Sequence, residues 1–357
     1  MLVVDDSAFM RRSISQMINR DPDLEVVGSA RDGADAVEKV KLLKPDLMTL
    51  DVEMPVMDGL EALRRIRREC DPRPAVLMCS SLTTSGSHVA LKAMRLGAAD
   101  IIAKDGSTYS SRMDEMQDEL IRKLKAISGA KLPDDSPEAP TTVAPPVEGR
   151  VDLKRVPELV LIGSSTGGPP VLERILTSVP STFPVPIVIA QHMPPMFTKT
   201  LSSRLHDLCK IPIRHGEATG ALEPGTATIV AGGRQGRIVR SGSGRLGLEI
   251  SDRPAEALYK PSVDVLFESA SEVTREAGIA IVLTGMGNDG AMGAAKLRAR
   301  SWQVVTQQAE TCVVYGMPRA AVENGSSTAS MAPASIGGLL GAIGAKFGNP
   351  PTSRRSA

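Results

Sequence analysis

The stretch that decides the fold of the second half of the chain reads Leu159-Val160-Leu161-Ile162-Gly163-Ser164-Ser165-Thr166-Gly167-Gly168-Pro169. It begins with an apolar run that shows no alternation, which is typical of a strand buried on both faces of a parallel sheet. A G-x-S-x-G turn follows, and its glycines allow a sharp passage from strand to helix with Ser165 at the centre. Because open α/β folds carry their chemistry at the carboxyl ends of the strands, Ser165 is a candidate nucleophile.

A nucleophilic serine needs a base and an orienting acid, and two other strand ends supply candidates. His192 directly follows the apolar strand 186–191, and Asp289 lies just beyond the strand 279–284. The carboxyl ends of parallel strands meet at one edge of a sheet, so the sequence predicts that Ser165, His192 and Asp289 converge there. In this hypothesis His192 takes the serine proton, and Asp289 holds the imidazole tautomer and stabilises its cation.

The glycine-rich turns at 163–168 and 285–290 also present backbone N–H groups at this edge. The amides of Thr166 and Met286 are therefore candidate donors to an oxyanion. The order Ser, His, Asp along the chain differs from that of α/β-hydrolases, which indicates a separate use of the same three side chains.

Simpler interpretations remain open for each of these features. The turn at 163–168 could hold a phosphate, although it has neither G-x-G-x-x-G spacing nor the lysine of a P-loop. Asp289 could cap the helix that begins after Gly290. Ser164 could be the nucleophile instead, although it lies off the centre of the turn.

Residues 1–127 alternate strand-like and helix-like runs joined by short turns. Five strands with intervening helices predict a doubly wound, flavodoxin-like parallel sheet with the strand order 2-1-3-4-5. We expect helices at 7–19, 34–43 and 113–127. The expected strands cover residues 2–4, 24–27, 47–50, 75–79 and 101–103.

Acidic residues follow two of these strands: Asp5 and Asp6 follow the first, and Asp51 follows the third. The two strands are neighbours in the predicted order, so the carboxylates converge, and their repulsion favours a Mg²⁺ ion between them. One carboxylate at the rim could then accept a phosphoryl group, whose charge the metal offsets. Ser80 and Lys104, after the fourth and fifth strands, would contact that group. The simpler interpretation makes the acids helix caps and Lys104 a solvated charge.

The motifs at these strand ends are Val4-Asp5-Asp6-Ser7, Asp51-Val52-Glu53-Met54-Pro55-Val56-Met57-Asp58-Gly59, Ser80, Gly97-Ala98 and Lys104. They resemble the receiver domain of two-component response regulators. The resemblance implies that a partner histidine kinase phosphorylates Asp51. It also implies that Mg²⁺ is held by Asp5 or Asp6, by Asp51 and by the Glu53 backbone carbonyl, and that Ser80 and Lys104 sense the phosphate.

The second half carries Ile162–Gly168, Gln191–Pro194, Arg253-Pro254, Pro261–Phe267, Thr284–Gly290 and Gly316–Pro318. Together with the receiver motifs, these resemble the chemotaxis protein-glutamate methylesterase (CheB) family over nearly the whole chain. The resemblance implies a phosphorylation-activated serine hydrolase that removes methyl esters from chemoreceptor glutamates, releases methanol and serves adaptation in chemotaxis. It also implies deamidation of receptor glutamines, a chemotaxis histidine kinase as phosphodonor, and no cofactor for the ester hydrolysis. Residues 231–237 depart from the family's usual histidine-containing turn.

Composition sets limits on the protein class. The 357 residues are 42% apolar and 23% charged with a net charge of +1, which is typical of a soluble globular protein without general affinity for nucleic acid. No apolar run approaches the length of a membrane span, and the four cysteines show no metal-binding spacing. We therefore expect a cytoplasmic protein that does not insert into the membrane, and we expect it to be a monomer.

The composition also divides the chain into segments. We expect a receiver domain at 1–127, a flexible proline-rich linker at 128–157 and a mainly parallel α/β methylesterase domain at 158–347, followed by a disordered tail at 348–357. Our hypothesis is that the unphosphorylated receiver covers the active-site edge, and that phosphorylation shifts this population through the flexible linker.

Three alternative functions remain open. A response regulator with a DNA-binding output is disfavoured because the second half shows no basic recognition helix. A catalytically silent scaffold that binds receptors would keep the fold without the chemistry. A member of the same family could also serve a pathway other than chemotaxis, such as surface motility.

Overall fold

The computed structural model describes residues 1–81, 83–104, 110–129, 151 and 154–348. The chain divides into two compact units, Met1–Asp134 and Asp135–Ala357. Most of the linker expected at 128–157, and all of the expected tail except Gly348, lie outside the described residues. None of the helices in this described part reaches the combination of length and hydropathy that a bilayer span requires.

The first unit contains a five-stranded parallel sheet with the order β2-β1-β3-β4-β5, as the sequence predicts. Its strands are β1 (Leu2–Val4), β2 (Gly28–Ala30), β3 (Leu47–Asp51), β4 (Ala75–Ser81) and β5 (Asp100–Lys104). Its helices are α1 (Ala8–Ile18), α2 (Gly33–Leu43), α3 (Gly59–Glu69), α4 (Thr84–Arg95) and α5 (Ser110–Ile127). Val4 of β1 pairs with Leu50 of β3. Asp5, the first residue after β1, and Asp51, the last residue of β3, therefore lie at the same edge of the sheet.

The second strand begins later than its apolar pattern predicts. The sequence favours residues 24–27, whereas the structure pairs Gly28–Ala30 with Leu2–Val4. A Cβ atom on Gly28 would lie only 2.8 Å from the Leu43 side chain at the end of α2. Small residues at this strand therefore let α2 pack closely, and this tertiary contact is invisible to a hydrophobic pattern.

The second unit combines a seven-stranded parallel sheet, ordered β15-β14-β13-β6-β7-β10-β8, with a three-stranded antiparallel sheet, ordered β11-β12-β9. The strands are β6 (Val160–Ser164), β7 (Ile187–Gln191), β8 (Ile213–Gly216), β9 (Gly220–Ala221), β10 (Ala227–Val230), β11 (Gln235–Arg240), β12 (Leu246–Ser251), β13 (Ile279–Val282), β14 (Gln303–Gln307) and β15 (Ala329–Met331). The helices are α6 (Gly168–Thr177), α7 (Pro195–Leu208), α8 (Val263–Val273), α9 (Ala291–Ala299), α10 (Met317–Glu323) and α11 (Pro333–Phe347). Both units are thus α/β structures with mainly parallel sheets.

One buried apolar cluster joins the central strands of the large sheet to helices α8 and α9 and to the antiparallel sheet. Phe267 of α8 and Trp302, next to β14, are its largest side chains and are fully buried. Ile238 of β11 belongs to the same cluster, so the small sheet is part of this core. Burial on both faces explains why β6 and β13 read as unbroken apolar runs.

The C-terminal helix α11 is the one long element of this unit that the sequence pattern does not predict. It contains four glycines, which lower helix propensity. A Cβ atom on Gly337 would lie 2.3 Å from Ser178 Oγ, and one on Gly344 would lie 2.3 Å from Pro180 Cγ. Gly337 and Gly344 therefore permit a close approach to the end of α6, and this packing outweighs their low helix propensity.

Candidate active site

Three adjacent strands of the large sheet bring the predicted residues to one edge. Strand β6 lies between β7 and β13, with Ser164 opposite Gln191 and Gly163 opposite Val282. Ser165 and His192 are the next residues after β6 and β7, and the His192 amide donates to the Ser164 carbonyl at 3.0 Å. The parallel register alone thus places the serine and the histidine side by side.

The turn that carries Ser165 depends on glycine at two points. Gly167 has a φ of 76°, a left-handed conformation that side chains disfavour. Gly285, beyond β13, passes so close that a Cβ atom on it would lie 2.7 Å from Ser165 Cβ. Ser165 is 7% exposed whereas Ser164 is fully buried, so Ser165 is the more accessible of the two serines.

His192 and Asp289 form a buried pair. Nε2 of His192 lies 2.8 Å from Oδ2 of Asp289, and each side chain is only 7% exposed. The carboxylate is an acceptor, so Nε2 carries the proton in this hydrogen bond. Nδ1 is buried and has no partner within the described residues, so no hydrogen bond to Ser165 is formed in this state. Nδ1 is therefore the ring nitrogen left to accept a proton.

Asp289 is held by the N-terminus of helix α8. Its Oδ1 accepts from the Ser262 hydroxyl at 2.9 Å and from the Asp264 amide at 2.9 Å, and its Oδ2 accepts from the Val263 amide at 2.7 Å. Unpaired amides and the helix dipole both favour an anion at this position. Burial by itself would raise the pKa of Asp289, but the His192 hydrogen bond and these amides hold that pKa below its ordinary value.

This arrangement decides one of the alternatives for Asp289. The residue at the N-cap of α9 is Gly290, and no side chain caps that helix. Asp289 instead binds the start of α8, which lies 25 to 27 residues earlier in the sequence. The Asp289 carboxylate therefore makes its hydrogen bonds with the start of α8 and with His192, and it does not cap α9.

The two expected oxyanion donors flank the serine. Thr166 follows Ser165 directly and is buried, and its carbonyl accepts from the Thr284 hydroxyl at 3.0 Å. Met286 is half-buried and follows Gly285, on which a Cβ atom would lie 2.7 Å from Ser165 Cβ. Both residues thus belong to backbone segments next to the serine.

The first unit has a separate cluster of acids at the edge of its sheet. Carboxylate oxygens of Asp5, Asp6 and Asp51 lie within 4.8 Å of one another, which is a spacing that a hard divalent cation can bridge. The Lys104 ammonium lies 2.6 Å from Asp5 Oδ2 and 2.6 Å from Asp51 Oδ1. The oxygen-only donor set fits Mg²⁺, with Asp5 and Asp51 buried and Asp6 exposed.

Burial and neighbouring charges shift the pKa values of Asp51 and Lys104 in this cluster. Burial, together with Asp5 nearby, raises the pKa of Asp51 in spite of the Lys104 contact. Burial alone would lower the pKa of Lys104, but its two carboxylate partners raise that pKa above its ordinary value.

The other two residues predicted for this site, Ser80 and Glu53, make no hydrogen bond with Asp51 among the described residues. Ser80 is buried near the end of β4, and its hydroxyl donates to the Ser81 carbonyl at 3.4 Å. Glu53 is exposed in the loop between β3 and α3, two residues beyond Asp51. The contacts of the described residues place neither of them against Asp51.

Comparison with known proteins finds a family for each of the two units. The family model for the CheB methylesterase matches residues 160–340, and the model for the response regulator receiver domain matches residues 1–110. This chain belongs to the CheB methylesterase family. A protein-glutamate methylesterase/protein-glutamine glutaminase of Oleidesulfovibrio alaskensis is 44% identical over 91% of this chain and 93% of its own length. One of Halalkalibacterium halodurans is 43% identical over 90% of this chain and 91% of its own.

Among solved structures, the crystal structure of the Thermotoga maritima CheB methylesterase catalytic domain is 34% identical to this chain. It matches with a TM-score of 0.50 and covers 52% of this chain and 98% of that chain. The CheB family and its receiver domain imply in general a histidine kinase as phosphodonor and a methylated chemoreceptor as substrate. Phosphorylation of receiver domains usually depends on Mg²⁺.

Sequence reasoning missed two residues at the candidate active site of this CheB-family chain. Ser262 and the first amides of α8 bind Asp289, and a serine before an apolar helical run is a recognisable N-cap. Tyr259 stacks on His192 with ring centroids 4.1 Å apart and an angle of 9° between the ring planes. Nothing in the local sequence indicates that second contact, because a lone tyrosine in a loop shows no pattern.

Proposed function

We propose that the second unit is a serine protein-glutamate methylesterase, which hydrolyses γ-glutamyl methyl esters to a carboxylate and methanol. The observation that carries the proposal is the buried His192–Asp289 pair beside Ser165 at one edge of the sheet. An imidazole that is hydrogen-bonded to a carboxylate through Nε2 and has no partner at Nδ1 among the described residues is suited to general base catalysis. The names of the relatives supply the substrate class.

In the proposed acylation step, Ser165 Oγ attacks the ester carbonyl carbon while His192 Nδ1 takes the serine proton. The tetrahedral intermediate then collapses: the bond to the methoxy oxygen breaks, and the imidazolium returns the proton to that oxygen as methanol leaves. Asp289 stabilises the imidazolium through Nε2. The amides of Thr166 or Met286 would donate to the oxyanion.

The proposed deacylation repeats this sequence with water. Water attacks the acyl carbon while His192 accepts one of its protons, the bond to Ser165 breaks, and the serine recovers its proton. The same steps with ammonia as the leaving group would convert a glutamine side chain to glutamate. We therefore include deamidation in the proposal, which the glutaminase names of the relatives support.

For the first unit we propose phosphorylation of Asp51 by a histidine kinase. Asp5, Asp6, Asp51 and the Glu53 carbonyl would hold Mg²⁺, which supplies charge neutralisation for the phosphoryl oxygens when it is bound. Lys104 already contacts Asp51, and it would move its ion pair to the phosphoryl group with Ser80 as a second contact. Phosphorylation of Asp51 would raise the esterase activity, which gives adaptation in chemotaxis.

The proposal is tested by methanol release from receptor membranes that carry radiolabelled methyl esters. The full chain should release methanol, more of it with acetyl phosphate and Mg²⁺ present, and Ser165→Ala should release none. Ser164→Ala is the matched control and should retain activity, because Ser164 is buried away from the substrate. Equal release by the wild-type and Ser165→Ala chains would reject the serine mechanism. No release by either would favour a receptor-binding scaffold.

A further inference from the structure

The aromatic ring of Tyr259 covers one face of the His192 imidazole. The two rings are almost parallel, at 9°, and their centroids are 4.1 Å apart. Tyr259 lies in the loop between β12 and α8 and is half-buried. Asp289 contacts the same imidazole at its edge, through Nε2. His192 is thus held on a face and on an edge by two different side chains.

We propose that Tyr259 is a positioning residue that orients His192 and stabilises its cationic form during ester hydrolysis. This inference rests on the proposed function, since it assigns to Tyr259 a role in that same reaction. The Tyr259 ring lies well within the ~6 Å over which an aromatic π-face attracts a cation. An imidazolium at His192 would therefore be stabilised by this parallel contact.

The backbone around Tyr259 is tied to the structure that binds Asp289. The Tyr259 carbonyl accepts from Gln235 Nε2 at 2.9 Å, and Gln235 Oε1 accepts from the Ser262 amide at 2.8 Å. Ser262 in turn donates to Asp289. Gln235 is fully buried, so this bridge is shielded from water. The stacking ring and the orienting carboxylate therefore share one support, the start of helix α8.

A role in catalysis and a role in packing predict different substitution patterns. If Tyr259 only fills space, any side chain of similar volume would replace it. If the ring stabilises the imidazolium, an aromatic ring is required and the hydroxyl is not. The imidazolium forms in both acylation and deacylation. Removal of the ring that stabilises it should therefore lower kcat and leave KM unchanged.

The experiment compares Tyr259→Phe, Tyr259→Leu and Tyr259→Met in the full chain, with methanol release from methylated receptor membranes as the assay. We expect Phe to retain activity within about twofold and Leu and Met to lower kcat about tenfold at unchanged KM. Two aliphatic variants are used so that a folding defect in one does not decide the result. Leu258→Ala, at an exposed neighbour in the same loop, is the control and should behave as wild type.

Several results would overturn the inference. They are a full kcat in either well-folded aliphatic variant, a loss in Phe as large as in Leu, or a change in KM alone. Thermal unfolding of each variant separates loss of fold from loss of chemistry. Ser165→Ala, assayed in parallel, separates the two levels of the argument: methanol release by that variant would reject the proposed function, whereas an inactive Ser165→Ala beside a fully active Tyr259→Leu would reject the role of Tyr259 only.

Discussion

Ser262 donates a 2.9 Å hydrogen bond to Asp289 Oδ1, and the same hydroxyl caps helix α8 by accepting from the Val265 amide at 3.3 Å. One side chain therefore joins the start of a helix to the carboxylate that holds His192. The geometry of the active site and the stability of α8 depend on the same contact. Substitutions here should affect both, and in different proportions.

Asp289→Asn should lower kcat for methanol release by roughly 10³- to 10⁴-fold. The asparagine side chain keeps the shape of the carboxylate but carries no negative charge to stabilise the imidazolium. Its NH₂ group would also face hydrogen-bond donors, with which it cannot pair. Steady-state assays with methylated receptor membranes measure the loss. The matched control is Asp252→Asn, an exposed carboxylate that pairs with Arg234 at the surface. A loss of less than tenfold would contradict the assigned role of Asp289.

Ser262→Ala should cost about 1 kcal/mol of stability, because it removes an N-cap. For a domain of this size, that corresponds to a fall of roughly 2–4 °C in Tm. The kcat should fall far less than in Asp289→Asn, since the Val263 and Asp264 amides still bind the carboxylate. Calorimetry measures the change in Tm and the methanol assay measures the change in kcat, with Ser243→Ala, at an exposed serine, as the control. An unchanged Tm would show that the cap is not important.

Asp264→Asn should stabilise the protein at neutral pH and have little effect near pH 4. Burial, and then the neighbouring Asp289 charge, raise the pKa of Asp264 to about 6. The pKa of an aspartate in the unfolded chain is about 3.9. A carboxyl group whose pKa is higher than this in the folded state makes its full contribution to stability only at pH values below the unfolded pKa. Its contribution is lost as the pH rises through about 6. Asparagine keeps an oxygen for the Gly293 amide without the charge.

Thermal unfolding at pH 4 and pH 7.5 checks the Asp264 prediction. A Tm increase that appears only at pH 7.5 is the expected outcome. For Asp289 the dependence of stability on pH should have the opposite sign. Its pKa is lowered in the folded state, so its contribution to stability is present at neutral pH and is lost as the pH falls through that folded pKa. Equal destabilisation of Asp264→Asn at both pH values would mean that the repulsion between these carboxylates is unimportant.

Asp51→Asn should abolish phosphate incorporation from labelled acetyl phosphate and leave the basal methanol release unchanged. The amide cannot form the acyl phosphate, whereas the esterase residues lie in the other compact unit. The control is Asp118→Asn, an exposed carboxylate of α5 that should incorporate phosphate normally. Incorporation of label by Asp51→Asn would mean that another carboxylate of the cluster is phosphorylated.

A chain that begins at Val151 should release methanol faster than the unphosphorylated full chain. The physical reason is the inhibition by the receiver that the sequence leads us to expect. The catalytic domain of the Thermotoga maritima relative was solved as a separate chain, which supports folding of the shorter form. Rates per mole of folded enzyme, with and without acetyl phosphate, give the comparison. Equal rates for the short and full chains would exclude the inhibition.

Much of this protein follows from the residues at strand ends. Unbroken apolar runs indicate strands buried on both faces, and parallel strands send their carboxyl ends to one edge. That reasoning predicts the order 2-1-3-4-5, the meeting of Asp5 with Asp51, and the pairing of His192 with Asp289, all of which the structure contains. It works because strand neighbours are set by local hydrophobic patterns and short connections.

Other features were decided only by contacts between distant segments. Gly28 lowers the strand propensity of β2, and Gly337 and Gly344 lower the helix propensity of α11, yet each lies where a Cβ atom would collide with a neighbour. Tyr259 reaches His192, and Ser262 reaches Asp289, through loops whose path no periodicity reports. The sequence thus determined which chemical groups stand at the sheet edge, because strand patterns are local. Only the tertiary structure decided what supports those groups, because side-chain packing depends on the whole fold.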